Sequence, residues 1–161
     1  MKFSENGINR LEKLEAFRSE PYLDSAGYWT VGIGHKLTES ELSSGKIIIN
    51  GMASRPPLTH DQGVALKKQD LVPREAAVEK YGLQLTQKQF DALVIFVFNV
   101  GVAAFDGSTL LKKLKAGAPG SEIIKELKKW NKARNPRTGV LEVNKGLINR
   151  RRFEAEMYLE A

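Results

Sequence analysis

The sequence predicts a mostly helical α+β fold, with a short hairpin-bearing stretch near the N-terminus followed by a longer helical one. Three observations lead there. Apolar residues recur at helical spacing over most of the 161 residues. Two threonines open such runs with the spacing of a capping box, Thr59 with Gln62 and Thr86 with Gln89. One segment, from Pro21 to Lys36, has a different period: aromatic and β-branched residues flank "DSAG", a turn signal with Asp first and Gly last.

Taken in order, Ser4 can cap a first helix in which Ile8, Leu11 and Leu14 recur at helical spacing, and Pro21 biases Glu20 away from helix, so the helix ends before it. The hairpin around "DSAG" has a Gly-rich return strand carrying Gly32 and Gly34, which leaves room for backbone and ligand to approach. "SSGKIIINGMASRPP", Ser43 to Pro57, is punctuated by Gly, Ser and Pro and reads as a loop that could hold a short strand at Ile47 to Ile49. A connecting helix runs from Thr59 to Tyr81 with a break or kink at Pro73. From Phe90 to Val100 the chain is apolar nearly all round, as a buried central helix is. Further helices are expected over about Ser108 to Ala116, Ser121 to Ala133 and Asn144 to Leu159, with a turn at "NPRTG".

Composition narrows the function classes. The 42% apolar content is ordinary for a globular domain, and without cysteines there are neither disulfides nor thiolate metal sites. The two histidines, His35 and His60, lie far apart in sequence, so no metal and no cofactor are expected. No run approaches 18 apolar residues and the N-terminus lacks a signal-peptide pattern, which predicts synthesis in the cytoplasm. The net charge of +6 is lopsided: Leu111 to Arg152 holds thirteen Lys/Arg against three acids. An anionic partner follows, whether wall polymer, membrane surface or nucleic acid. Ser121 to Arg134 carries Ile123, Ile124, Leu127 and Trp130 on one side and lysines on the other, which fits either a membrane-surface helix or an ordinary helix covering a core. No nucleic-acid reader motif accompanies the charge.

Two carboxylates carry the chemistry. At about 100° per residue, Leu11 lies at about 300° and Glu15 at about 340° from Ile8, so Glu15 falls inside the apolar stripe of its own helix. One reading is a helix-end glutamate paired with a core arginine such as Arg150, Arg151 or Arg152. The other is a carboxyl group whose surroundings keep it protonated near neutral pH as a general acid. Asp24, first in its turn, suits a backbone-bonding role. If "SAG" is a three-residue loop, however, Asp24 pairs with Tyr28 and Thr30 lies on the same face one diagonal step away, about 7 to 8 Å off. One water could bridge that gap. A carboxylic acid, a carboxylate and a hydroxyl so arranged suit glycoside hydrolysis by an activated water.

"LEKLEAFRSEPYLDSAGYWTVGIGHKLT" resembles the catalytic signature of the phage-type lysozymes (endolysins, muramidases): a Glu, an Asp nine residues on and a Thr six further, then G-x-G-H. Here these are Glu15, Asp24, Thr30, Gly32, Gly34 and His35. "LTQKQFDALVIFVFNVG" with "FDGSTLL" resembles the family's central helix and next turn, and "GLINRRRFEAEMYL" its closing segment. The resemblance implies a lysozyme-like two-lobe fold and a single domain over 1–161: a small α+β lobe at 18–58, a connecting helix at 59–81, and a helical lobe from 82–161 plus 1–16. It implies cleavage of the β-1,4 bond between N-acetylmuramic acid and N-acetylglucosamine in peptidoglycan, with inversion. Glu15 would be the acid, Asp24 the base or electrostatic stabiliser, and Thr30 the residue that orients water.

Phe98, Asn99 and Ser108 match positions that contact substrate in the family; Phe98 could equally be a core aromatic, and Ser108 a helix cap. His35 is expected to be a support, bonded across the lobe interface, rather than a catalyst. The partners implied are peptidoglycan and a separate membrane pore (holin) that releases a monomer to the periplasm or wall, with no nucleic acid involved. The competing expectation is a non-enzymatic, basic, membrane-active or wall-binding protein.

Overall fold

The structure, a computed structural model, describes residues Met1 to Glu160. They form two compact units, one of Glu5–Val72 and one of Met1–Ser4 with the residues from Pro73 on.

In the first unit, α1 (Glu5–Glu15) buries Ile8 and Leu11, as its spacing predicts. Three antiparallel strands follow in the order β1 (Arg18–Leu23), β2 (Trp29–Gly32) and β3 (His35–Lys36). β1 pairs with β2 through Tyr22↔Thr30 and Leu23↔Trp29, and the register is irregular between Arg18 and Tyr22. Pro21 sits within that irregular stretch, where a residue with no N–H to give is tolerated.

The segment after β3 is more ordered than its composition suggests. Glu39–Ser44 is a helix, α2, started by a capping box in which Thr38 Oγ1 accepts from the Glu41 N–H and Glu41 returns to the Thr38 N–H, and ended by Gly45 in the left-handed conformation at φ 70°. The strand expected at Ile47 to Ile49 is present as β4 (Ile47–Ile49), and the rest of the stretch read as a loop supplies its hairpin partner, β5 (Met52–Ser54). Its turn is Asn50-Gly51, both residues at positive φ, which is the pairing a two-residue hairpin turn needs. Ile47 and Ile49 alternate inward and join Val31, Leu58 and Leu66 in the unit's core.

The connecting helix α3 (His60–Glu79) opens with the expected box between Thr59 and Gln62 and runs unbroken through Pro73. One missing N–H did not end a helix of 20 residues.

The second unit is built on α4 (Gln87–Val100), capped reciprocally by Thr86 and Gln89, with every residue from Phe90 to Val97 buried. α5 (Val102–Asp106), α6 (Thr109–Lys115) and α7 (Gly120–Lys128) lead to α8 (Lys145–Leu159), which packs on α4 and α7. α7 stops five residues before the expected Ala133. Lys132–Arg134 instead forms β6, paired with β7 (Leu141–Val143) across the Asn135-to-Gly139 turn. There the Asn135 side chain accepts the Arg137 N–H at 2.8 Å and Gly139 takes φ 72°. Short-range turn chemistry thus outcompetes the last turn of an amphipathic helix.

Candidate active site

α1 delivers Glu15 on its last turn, in the stripe of Ile8 and Leu11, and its side chain is only 10% exposed. The helix stops there because Ala16 turns to φ 56° while its N–H donates to the Glu12 carbonyl at 2.7 Å. Lys67 and Gly34 lie against the carboxyl. Lys67 of α3 brings Nζ to 3.2 Å from Oε2, with a fully buried side chain. The β2–β3 turn brings Gly34, at φ 70°, so near that a Cβ there would lie 2.3 Å from Oε2. The room left by Gly34 is therefore occupied by the Glu15 carboxyl. Gly32 serves a different approach, facing the Gly63 backbone of α3.

Lys67 is not among the partners that the sequence suggests for Glu15. A signal was there: Gly63, Lys67 and Asp70 fall within about 60° of one another on α3, the face that also turns toward the buried Leu66 and Leu71.

Asp24 sits at the hairpin turn. Its backbone pairs with Tyr28 (N–H to the Tyr28 carbonyl, 2.9 Å), and its Oδ1 accepts from the N–H groups of Ala26 at 2.9 Å and Tyr28 at 2.8 Å. Both the turn role and the pairing with Tyr28 are present. One carboxylate oxygen is fixed by the loop, and Oδ2 has no hydrogen bond among the described residues. Thr30, directly opposite Tyr22 in the ladder, is 3% exposed, and its hydroxyl donates to the Tyr28 carbonyl at 3.0 Å. Tyr22 links the two carboxylates: burial first and then the charge of Glu15 push its phenol up, Arg18 opposes this, and Asp24 adds to it. Glu15, Asp24 and Thr30 all belong to the Glu5–Val72 unit.

His35 has both ring nitrogens engaged, Nδ1 with Asp70 at 2.8 Å and Nε2 with Glu41 at 2.9 Å. Both partners lie in the Glu5–Val72 unit, Asp70 on α3 and Glu41 on α2, which suits a supporting role for the ring. Burial pulls its imidazole down, but the bonds and charges of Asp70 and Glu41 outweigh that, and the net direction is up.

The remaining named residues belong to the other unit. Phe98 is half-buried, with the Arg74 guanidinium 5.0 Å from its ring centroid. Asn99 is exposed, and its Oδ1 accepts from Arg151 at 2.9 Å. Ser108 is buried and caps α6: its hydroxyl donates to the Phe105 carbonyl at 2.7 Å and accepts the Leu111 N–H at 3.1 Å. Arg151 in turn forms a buried pair with Glu154, whose carboxyl burial pushes up to about 7 against the pull of Arg151.

Glu15, Asp24 and Thr30 all lie within one long stretch that matches a known family. The sequence model of the phage lysozyme family matches residues 12–154, from before Glu15 to the end of the α8 pair. The chain belongs to the phage lysozyme family. It is 35% identical over 162 residues to an endolysin of Acyrthosiphon pisum secondary endosymbiont phage 1, each chain covered completely. Among solved structures it is similar to an endolysin from Escherichia coli O157:H7 phage FAHEc1 (TM-score 0.81, 32% identity, 99% of this chain and 94% of that one). It is also similar to the muramidase domain of SpmX from Asticaccaulis excentricus (TM-score 0.78, 29% identity, 99% of both). The fold is that of the lysozyme-like muramidases, α+β and mostly helical. The enzyme is a glycoside hydrolase of the lysozyme type whose substrate is peptidoglycan, and the non-enzymatic alternative is not favoured. Among the described residues no helix is long and apolar enough to cross a membrane.

Proposed function

We propose that this phage lysozyme is an inverting muramidase in which Glu15, Asp24 and Thr30 divide the chemistry. The observation that carries the reading is the Glu15 carboxyl, nearly buried at a helix end and held from two sides by Lys67 and Gly34. A carboxyl so confined has a fixed direction in which to give its proton.

Glu15 protonates the glycosidic oxygen as the bond from the muramic acid C1 breaks, leaving a free hydroxyl on N-acetylglucosamine. A water attacks C1 from the opposite face. One of its protons passes to Asp24, whose Oδ1 is pinned by two backbone N–H groups so that Oδ2 can accept. Its other proton points to Thr30 Oγ1, whose own hydrogen is already given to the Tyr28 carbonyl, so the hydroxyl oxygen is an acceptor for water. Room for that water implies carboxyl groups about 6.5 to 9.5 Å apart. Phe98, Asn99 and Ser108 remain the proposed substrate contacts; with the Ser108 hydroxyl engaged in its cap, its contribution would pass through shape rather than a new hydrogen bond.

The reading extends to one lysozyme-like domain acting as a monomer, made in the host cytoplasm and passed through a holin pore to the periplasm or wall. Digestion of purified peptidoglycan tests the chemistry. New reducing ends should be N-acetylmuramic acid, appearing first as the α anomer by proton NMR. Reducing N-acetylglucosamine, or the β anomer first, would overturn it.

A further inference from the structure

We propose that Lys67 is the positioning residue of the acid, anchoring the Glu15 carboxyl and setting the pH above which the enzyme loses activity. The inference rests on the reading of Glu15 as general acid. Lys67 lies between Leu66 and Lys68 on α3, and its side chain is fully buried although Leu66 and Leu71 show that apolar residues pack well on that part of the helix. Burying an ammonium group is costly, so packing alone would favour an aliphatic residue there. What the charge meets is the carboxyl that must give up a proton, 3.2 Å away.

An ammonium at that distance stabilises the carboxylate over the acid. It therefore makes the proton easier to release and stabilises the negative charge that grows on Glu15 as the leaving oxygen is protonated. The same field leaves less of Glu15 protonated as pH rises, so the alkaline limb of the pH–rate profile lies lower with Lys67 than without it. Gly34 completes the device, because any side chain there would force the carboxyl off the ammonium.

Other charged groups of the same unit have contacts of their own. From β1, Tyr22 feels Glu15, and Arg18 stacks 4.5 Å over the Tyr22 ring. Asp24 faces Tyr22 from the hairpin turn. One turn back on α1, Glu12 pairs with His60; one turn on along α3, Asp70 is bonded to His35, itself bonded to Glu41 of α2. Lys67 is in direct contact with the carboxyl of Glu15.

The test is the pH dependence of kcat and kcat/KM on purified peptidoglycan for the wild type, Lys67→Met and Glu15→Gln. Lys67→Met should move the alkaline limb up by about one to three pH units, the range an adjacent opposite charge commands, and the Glu15 side-chain carboxyl carbon should titrate with the same displacement by NMR. An alkaline limb that stays in place in Lys67→Met while Glu15→Gln is inactive overturns the role of Lys67. Full activity in Glu15→Gln instead overturns the assignment of the acid, and the two failures are distinct. Should Lys67→Met not fold, the wild type still decides. The Lys67 Cε resonance should show a step at the Glu15 midpoint, coincident with the alkaline limb, with the lysine's own deprotonation at far higher pH, and no response of Lys67 at the Glu15 midpoint overturns the proposal.

Discussion

Ala16, at φ 56° without being glycine, and Gly34, at φ 70°, fix where the Glu15 carboxyl can stand: the first ends its helix and the second backs it. Gly34→Ala would place a Cβ on Oε2 and force alanine into the left-handed region, a backbone cost of about 1 to 2 kcal/mol. The expected result is a modest drop in melting temperature and a fall in turnover of about 100-fold, the scale of a roughly 1 Å misplacement. Circular dichroism and reducing-end assays read the two; a stable variant with wild-type turnover would show that the carboxyl has slack. The near-burial of the Glu15 side chain is legible in the sequence because a carboxylate in an apolar stripe breaks the helical pattern. That of Lys67 is not, because a lysine on a long mixed helix is usually solvated and nothing local says which face will be buried.

His35 joins three elements, β3, α2 and α3, through one ring. A neutral imidazole can donate from only one nitrogen, whereas the imidazolium donates from both, to Asp70 and to Glu41 at once. In the folded protein its pKa lies above the ordinary histidine value of about 6.5, so the stability it contributes is fully present below about pH 6.5 and is lost as pH rises through the folded value. The difference in unfolding free energy between wild type and His35→Gln, from urea titrations, should therefore be largest near about pH 5.5 and shrink toward about pH 9. A difference independent of pH would contradict the two-carboxylate clamp. Elements with reciprocal caps, α3 and α4, were legible at their first residue because both halves of the signal are in the sequence. α2 has the same signal in Thr38 and Glu41 but is six residues long, too short for its apolar period to register. β6 and β7 were hidden for a related reason: Trp130 to Ala133 continues a helical pattern that only the Asn135-to-Gly139 turn interrupts.

At the scale of the whole molecule, the excess of Lys and Arg between Leu111 and Arg152 gives the enzyme a basic half for an anionic polymer. Long-range attraction of that kind is screened over about 8 Å at physiological salt. The rate of wall solubilisation at low substrate should therefore fall steeply as sodium chloride is raised, while kcat at saturation changes little; a salt-independent kcat/KM would assign the charge another use. Cleavage of the wall, as proposed above, turns on Glu15. Reducing-end release from purified peptidoglycan by the wild type and by Glu15→Gln, with folding verified for both, is the most direct test. Release by the wild type and a loss of at least about 100-fold in the variant, the minimum expected of a general acid, is the expected result, whereas equal release by both would contradict the role of Glu15.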